Sequence, residues 1–399
     1  MKLNRLSLLG LGVLMAFTSC NNPYSGVSPE LADLTKKAIE STAPERQTAL
    51  TEVLAQTPKG NREGMAYLLA YMSKNDIDTM NLDLLKENVD YAYKAYNDFA
   101  WTKELPKEIF LNEVMPYAVY DEVRDSWRPM FYEMFSPLVQ NSTDIFQAID
   151  TVNKSIKDMV GVTYNTKRRK ANQSPRESME IHMASCTGLS ILLVDALRAV
   201  GIPARLAGTP MWVSLEGNHN WVEVWADGKW YVTEYSPEKL DHAWFMPRAG
   251  KADKSKPIHW IYAVSYKPTG LPFPRGRRNN PDSMDVTSID VTDRYIALYK
   301  GQQTEEGKGT PVVIKMFKNA ADSTVSAARV ASKITVFNLN ADPVAEGKTA
   351  GPTQDMNDYL TLYVPVNGIF DIQYEAKDGV QTKRVNVEGP TSVILEYGE

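Results

Sequence analysis

The sequence predicts an α+β chain in three blocks, on three observations. From about residue 28 to 155, apolar residues such as Leu31, Leu34, Ala38 and Ile39, then Leu82, Leu85, Val89, Ala92 and Tyr96, recur at steps of three and four, the helical period. From about 145 to 265 the pattern becomes helix, extended stretch, helix, then strands. From 286 to 399 short alternating runs are separated by turn residues, as in an antiparallel sandwich. With 399 residues and 43% hydrophobic content, the chain is long enough for two or three cores.

Lys2 and Arg5 precede an apolar run from Leu6 to Phe17, followed by Thr18-Ser19-Cys20. A positive start, a short apolar run and small residues describe a secretory signal over residues 1–19, too short for a membrane span. With Cys at the cut, it resembles a bacterial lipoprotein signal, which implies acylation of Cys20 and a lipid-anchored protein on the exported side of the cell envelope. The formal charge of -5 becomes more acidic without the leader, which argues against nucleic acid as a partner.

The helical block is expected over residues 20–144. Pro106, Pro116, Pro129 and Pro137 should divide it into short helices, and Tyr93, Tyr96 and Phe99 form a packing stripe. In the middle block, 145–265, Phe146, Ile149, Val152, Ile156 and Met159 mark one helix ending near Gly161. Lys167 to Lys170 read as a solvated loop. Leu189, Leu192, Leu193, Ala196, Leu197 and Val200 line a second helix, stopped by Gly201 and Pro203.

Cys186 falls in the first turn of that helix, a place that favours an anion. Asp227-Gly228 is a two-residue hairpin turn between Val222-Ala226 and Lys229-Thr233. Counting outward from Ala226 opposite Lys229 sets Trp221 opposite Glu234 and His219 opposite Ser236, which makes His219 and Glu234 diagonal neighbours on one face. Thiol, imidazole and carboxylate in that order suggest a nucleophile, its base and its orienter, with Glu238 and Asp241 as alternative orienters. If Cys20 is acylated, Cys186 is the sole free thiol and no internal disulfide forms.

Residues 266–285, rich in Pro and Gly, read as a linker with Arg275, Arg277 and Arg278 facing solvent. The β block, 286–399, is expected to include Tyr295-Tyr299, Val312-Met316, Ile334-Phe337, Tyr359-Val364 and Phe370-Tyr374 as strands. Four histidines, among them His182, His242 and His259 without comparable partners, show no metal-ligand spacing. Asp282, Asp285, Asp290 and Asp293 lack the central Gly and closing Glu of a calcium loop, so neither a metal nor a cofactor is expected.

The middle block resembles the transglutaminase-like, papain-fold cysteine family. The resemblance rests on Cys186, the run Arg198-Ala199-Val200-Gly201-Ile202-Pro203-Ala204-Arg205, His219-Asn220-Trp221-Val222-Glu223-Val224, and Glu234 four residues after Trp230. Tyr164 also matches the family's tyrosine ahead of the Cys, while Glu234 stands where Asp is usual and Ala184 where Gly is preferred. The lead-in Leu105-Phe110 and Trp127-Arg128-Pro129 is similar to that of bacterial members, in which a β-sandwich tail follows.

The resemblance implies a papain-like core between a helical region and an all-β sandwich. It implies a Cys186, His219, Glu234 site that acts on peptide or protein amides through a thioester, by hydrolysis or by acyl transfer. The backbone N–H of Cys186 is a natural oxyanion donor. The alternative is a surface binding or scaffold lipoprotein that keeps the fold without the chemistry.

Overall fold

The computed structural model describes residues 22–215, 217–235, 239–274, 286–305, 309–364 and 368–398. Cys20, Glu238, Arg275, Arg277, Arg278, Asp282 and Asp285, all named above, lie outside the described residues.

The N-terminal block is helical: α1 (Pro29–Glu40), α2 (Pro44–Gln56), α3 (Arg62–Tyr71), α4 (Lys74–Thr79), α5 (Leu82–Asp98) and α6 (Lys107–Ile109), which runs on as a π turn through Val114. Both α1 and α2 open on Pro, where a missing N–H loses no helical bond. Leu50, Leu54, Met65, Leu68, Val89 and Val114 form its core. Tyr93 and Tyr96 pack against Phe110, whereas Phe99 stacks on Trp101 at the edge of the central core.

In α7 (Arg128–Val139), Pro129 sits in the first turn, but Pro137, expected as a break, lies inside the helix. It falls in the last turn, where one lost i→i−4 bond is tolerable because the helix ends two residues on. Arg128 is buried, and its guanidinium donates to the carbonyls of Arg198 (3.0 Å), Val114 (2.7 Å) and Pro116 (2.9 Å) and to Asn88 Oδ1 (2.7 Å). One side chain therefore joins the helical block to the middle block.

The middle block begins with α8 (Ile145–Val160), capped by Asp144 and closed by Gly161 at φ 64°, a left-handed position that suits glycine. β1 (Thr163–Tyr164) and β2 (Met183–Ala184) pair in parallel on either side of α9 (Pro175–Ile181), and α10 (Cys186–Ala199) follows. Then β3 (Ala204–Thr209), β4 (His219–Ala226), β5 (Lys229–Thr233), α11 (Met246–Ala249), β6 (Tyr262–Ser265) and β7 (Thr287–Asp290) complete a sheet in the order β5-β4-β3-β6-β7, antiparallel throughout. One face, with Leu206, Val222 and Val224, covers Leu192 and Leu193 of α10. The other face buries Trp221 with Phe245 and Tyr295.

Tyr295 belongs to α12 (Thr292–Glu305), so Tyr295-Tyr299, expected as a strand, is helical. Tyr295 and Tyr299 are both buried and Leu298 packs beside them, an i, i+3, i+4 face that also reads as alternation over five residues. β7 pairs with β6 across the expected linker, and Phe273 within that linker is buried in the central core.

The C-terminal block holds β8 (Thr310–Phe317), β9 (Lys333–Phe337), β10 (Pro343–Lys348), β11 (Leu360–Val364), β12 (Gly368–Ala376), β13 (Gly379–Val387) and β14 (Thr391–Glu396). They form two sheets, β10-β9-β12-β13 and β11-β8-β14, around Ile314, Val336, Phe370, Ile372 and Leu395. The sandwich is not wholly antiparallel, because β14 runs parallel to β8. No described helix is long and apolar enough to cross a membrane.

Candidate active site

Ser185 caps α10 by accepting from Gly188 N at 3.0 Å, which fixes Cys186 at the first helical position. Its thiol is partly exposed. The adjacent residue, Thr187, accepts from Asn220 Nδ2 at 2.8 Å, and Ser190 Oγ donates to Asn220 O at 3.2 Å. Since Asn220 is next to His219, these two bonds lock the start of α10 against the start of β4. The thiol is thereby held beside the imidazole.

The hairpin carries the next step. Asp227 and Gly228 both have positive φ, 47° and 82°, as a two-residue turn of the I′ type requires, and Ala226 pairs with Lys229. The ladder ends at Val222 opposite Thr233, and the next residues bring His219 Nε2 within 3.6 Å of Glu234 Oε2. That separation is an ion-pair contact rather than a hydrogen bond. Trp244 Nε1 donates to the same Glu234 oxygen at 3.2 Å. Trp244 and Phe245 flank the imidazole, with ring centroids 4.8 and 5.1 Å away. Asp241 is turned elsewhere, accepting from Val232 N.

A residue that sequence reasoning missed completes the group. Asp355, between β10 and β11, brings Oδ2 to 3.7 Å from His219 Nδ1. Cys186 Sγ, a His219 ring nitrogen and an Asp355 carboxylate oxygen lie within 4.8 Å of one another, a set that could hold a metal ion. The absence of metal-ligand spacing does not bear on this set, because its third member arrives from the C-terminal block. Its only sequence signal is the turn-rich stretch before Leu360.

The segment around Asp355 is firmly held. Arg329 donates to the carbonyls of Asp355 and Asp358, Asn357 Nδ2 donates to Asn218 O at 2.9 Å, and Tyr164 N donates to Thr353 O at 3.2 Å. Together the blocks enclose a cavity of about 360 Å³ lined by Tyr164, Cys186, His219, Glu234, Asp355 and Asp358 among others.

Burial opposes charge on His219, yet Asp355, the Cys186 thiol and Glu234 raise its pKa to about 10. Burial raises Glu234 against the pull of His219. Asp358 is pushed up to about 7 by burial and by the Glu234 carboxylate. Deeper in the sheet, burial would raise Glu223, but Arg205 and Arg294 beside it hold it low. Its oxygens meet Arg205, Arg294 and Tyr295 OH, so this acid of the motif is a framework group. His182 contacts Gly161 O and His259 contacts Met211 O, both away from the thiol.

Residues 133–235 match the family model of the transglutaminase-like superfamily. The chain carries a transglutaminase-like domain. The match spans Cys186, His219 and Glu234 and ends well before Asp355. No curated protein matches the chain. Among solved structures it is similar to a candidate cysteine protease from Cytophaga hutchinsonii, with TM-score 0.28 and 14% identity over 35% of this chain and 45% of that one. It is also similar to red sea bream transglutaminase, with TM-score 0.31 and 11% identity over 73% of this chain and 66% of that one. The transglutaminase-like domain thus sits in an α+β chain with helices before it and β-sheets after it.

Proposed function

We propose that this chain is an exported cysteine enzyme that acts on peptide or protein amides through a thioester. The observation that carries the reading is the meeting of a helix-start thiol, a buried imidazole and a carboxylate 3.6 Å from its Nε2, inside the transglutaminase-like domain. Cys186 attacks the amide carbonyl, and His219 takes the thiol proton and returns one to the leaving amine. Glu234 holds the ring by its far nitrogen. The Cys186 backbone N–H, at the first helical position, faces the developing oxyanion. Water then releases an acid, or an amine takes the acyl group.

The test is to incubate the chain with a diverse peptide mixture and to compare products with those of Cys186→Ala. New carboxyl ends or new amide cross-links that vanish in the variant support the reading; activity that persists in Cys186→Ala removes it. We also infer that Cys20 is acylated and anchors the protein on the exported side of a bacterial membrane. A Cys20→Ala chain should then leave the membrane fraction, and an unchanged distribution would overturn the anchor.

A further inference from the structure

One pairing beside the thiol, between His219 and Asp355, has no part in the acyl transfer proposed above. His219 Nδ1 and Asp355 Oδ2 are 3.7 Å apart, on side chains only 3% and 9% exposed, and neither atom has a hydrogen-bond partner. Two buried polar atoms facing each other call for a positive charge between them, which a proton on His219 Nδ1 or a metal ion can supply. A proton shared directly would draw them to about 2.7–2.9 Å. Two ligands of one tetrahedral ion, each about 2.0–2.2 Å from it, stand about 3.3–3.6 Å apart, much nearer the observed distance. The Cys186 Sγ lies within 4.8 Å of the other ligand atoms, so closing on an ion takes movements of about 1 Å or less.

We propose that Cys186, His219 and Asp355 form a three-ligand site for a zinc-type divalent ion, with a solvent molecule as the fourth ligand. One sulfur, one imidazole nitrogen and one carboxylate oxygen suit zinc far better than calcium or magnesium, which take oxygen shells. The surroundings also fit. Glu234 lies 3.6 Å from Nε2, the place of the carboxylate that orients a metal-bound histidine and leaves the other nitrogen free for the metal. Asp355 Oδ1 is engaged by Asn357 N at 2.8 Å, which turns Oδ2 toward the imidazole. On binding, the Cys186 S–H and the His219 Nδ1–H bonds break, the S–metal and N–metal bonds form, and both protons leave to solvent. The ion occupies the electron pairs that acyl transfer needs, so the loaded protein is an idle form; that consequence alone rests on the proposed function, and the binding does not.

The test uses the full chain, freed of metal by a chelator and titrated with Co²⁺ and then Zn²⁺. One Co²⁺ per chain should appear with thiolate-to-metal charge-transfer absorption, which Zn²⁺ bleaches. Zn²⁺ should block alkylation of Cys186 by iodoacetamide, and chelator should restore it. Asp355→Asn should weaken Zn²⁺ at least about 10-fold and Asp355→Glu should recover part of the loss, while Asp358→Asn should stay within about 3-fold. Absence of the charge-transfer absorption, alkylation indifferent to Zn²⁺, or unchanged affinity in a folded Asp355→Asn would each overturn the site. If Asp355→Asn does not fold, the absorption and alkylation of the unaltered chain decide. Neither readout needs a substrate. Zinc binding without amide chemistry removes the proposed activity alone, and amide chemistry without zinc binding removes the site alone.

Discussion

His219 is hemmed in by two carboxylates, a thiol and three aromatic rings, so its behaviour is set by neighbours more than by solvent. Glu234 meets the nitrogen that faces away from Asp355, and Glu234→Gln should lower kcat by about 10²- to 10⁴-fold with little change in KM, measured on the substrate found in the peptide mixture. Asp358 offers a check on pH. Its folded pKa, about 7, lies above the unfolded value of about 3.9, so the native state binds the extra proton and stability falls as pH rises between those values. Asp358→Asn removes that loss. Denaturant unfolding should therefore find the variant more stable than the parent at pH 8, by up to about 4 kcal/mol, with the gain disappearing below about pH 4. Cys186, His219 and Glu234 could be picked out from sequence because a helix start and a two-residue turn fix their local places. Asp355 could not, since nothing in its own stretch says which distant groups it will face.

At the scale of elements, the bond between Thr187 and Asn220 carries the register between α10 and β4. Thr187→Ala should cost about 1 kcal/mol in unfolding but reduce kcat/KM by about 10- to 100-fold, because a small misplacement of a thiol from its base is costly to reaction. A loss of activity no greater than the loss of stability would make that bond mere packing. The hairpin was readable because positive φ at Asp227 and Gly228 admits one kind of turn, and that turn admits one register. The α12 helix was not readable as a helix. Over five residues its apolar side chains fit a strand and a helix alike, and the decision was made by the sheet face that Tyr295 covers. Pairing of β14 parallel to β8 is likewise a choice of topology that alternation cannot encode.

Across the whole molecule, the blocks are joined by buried guanidinium groups more than by surface ion pairs. Arg128 ties α5, the π turn and the end of α10 together, and Arg198 donates to the carbonyls of Glu113, Ala118 and Ala204. Arg128→Ala strands several buried acceptors at once and should destabilise the chain by about 4 kcal/mol or more. Because the same residue serves both blocks, far-ultraviolet dichroism and tryptophan fluorescence should shift together in that variant. Separate transitions would mean that the helical block and the sheet unfold independently.

The hydrogen bond from Asn357 to Asn218 spans 139 residues, and it anchors the same segment that carries Asp355. A chain made from its N-terminus exposes Cys186 and His219 long before that segment exists, and contacts of such separation are among the slowest to close. A chain that stops anywhere before residue 355 carries its thiol without the wall that Asp355 builds, and so differs in chemistry, not only in size, from one that includes it.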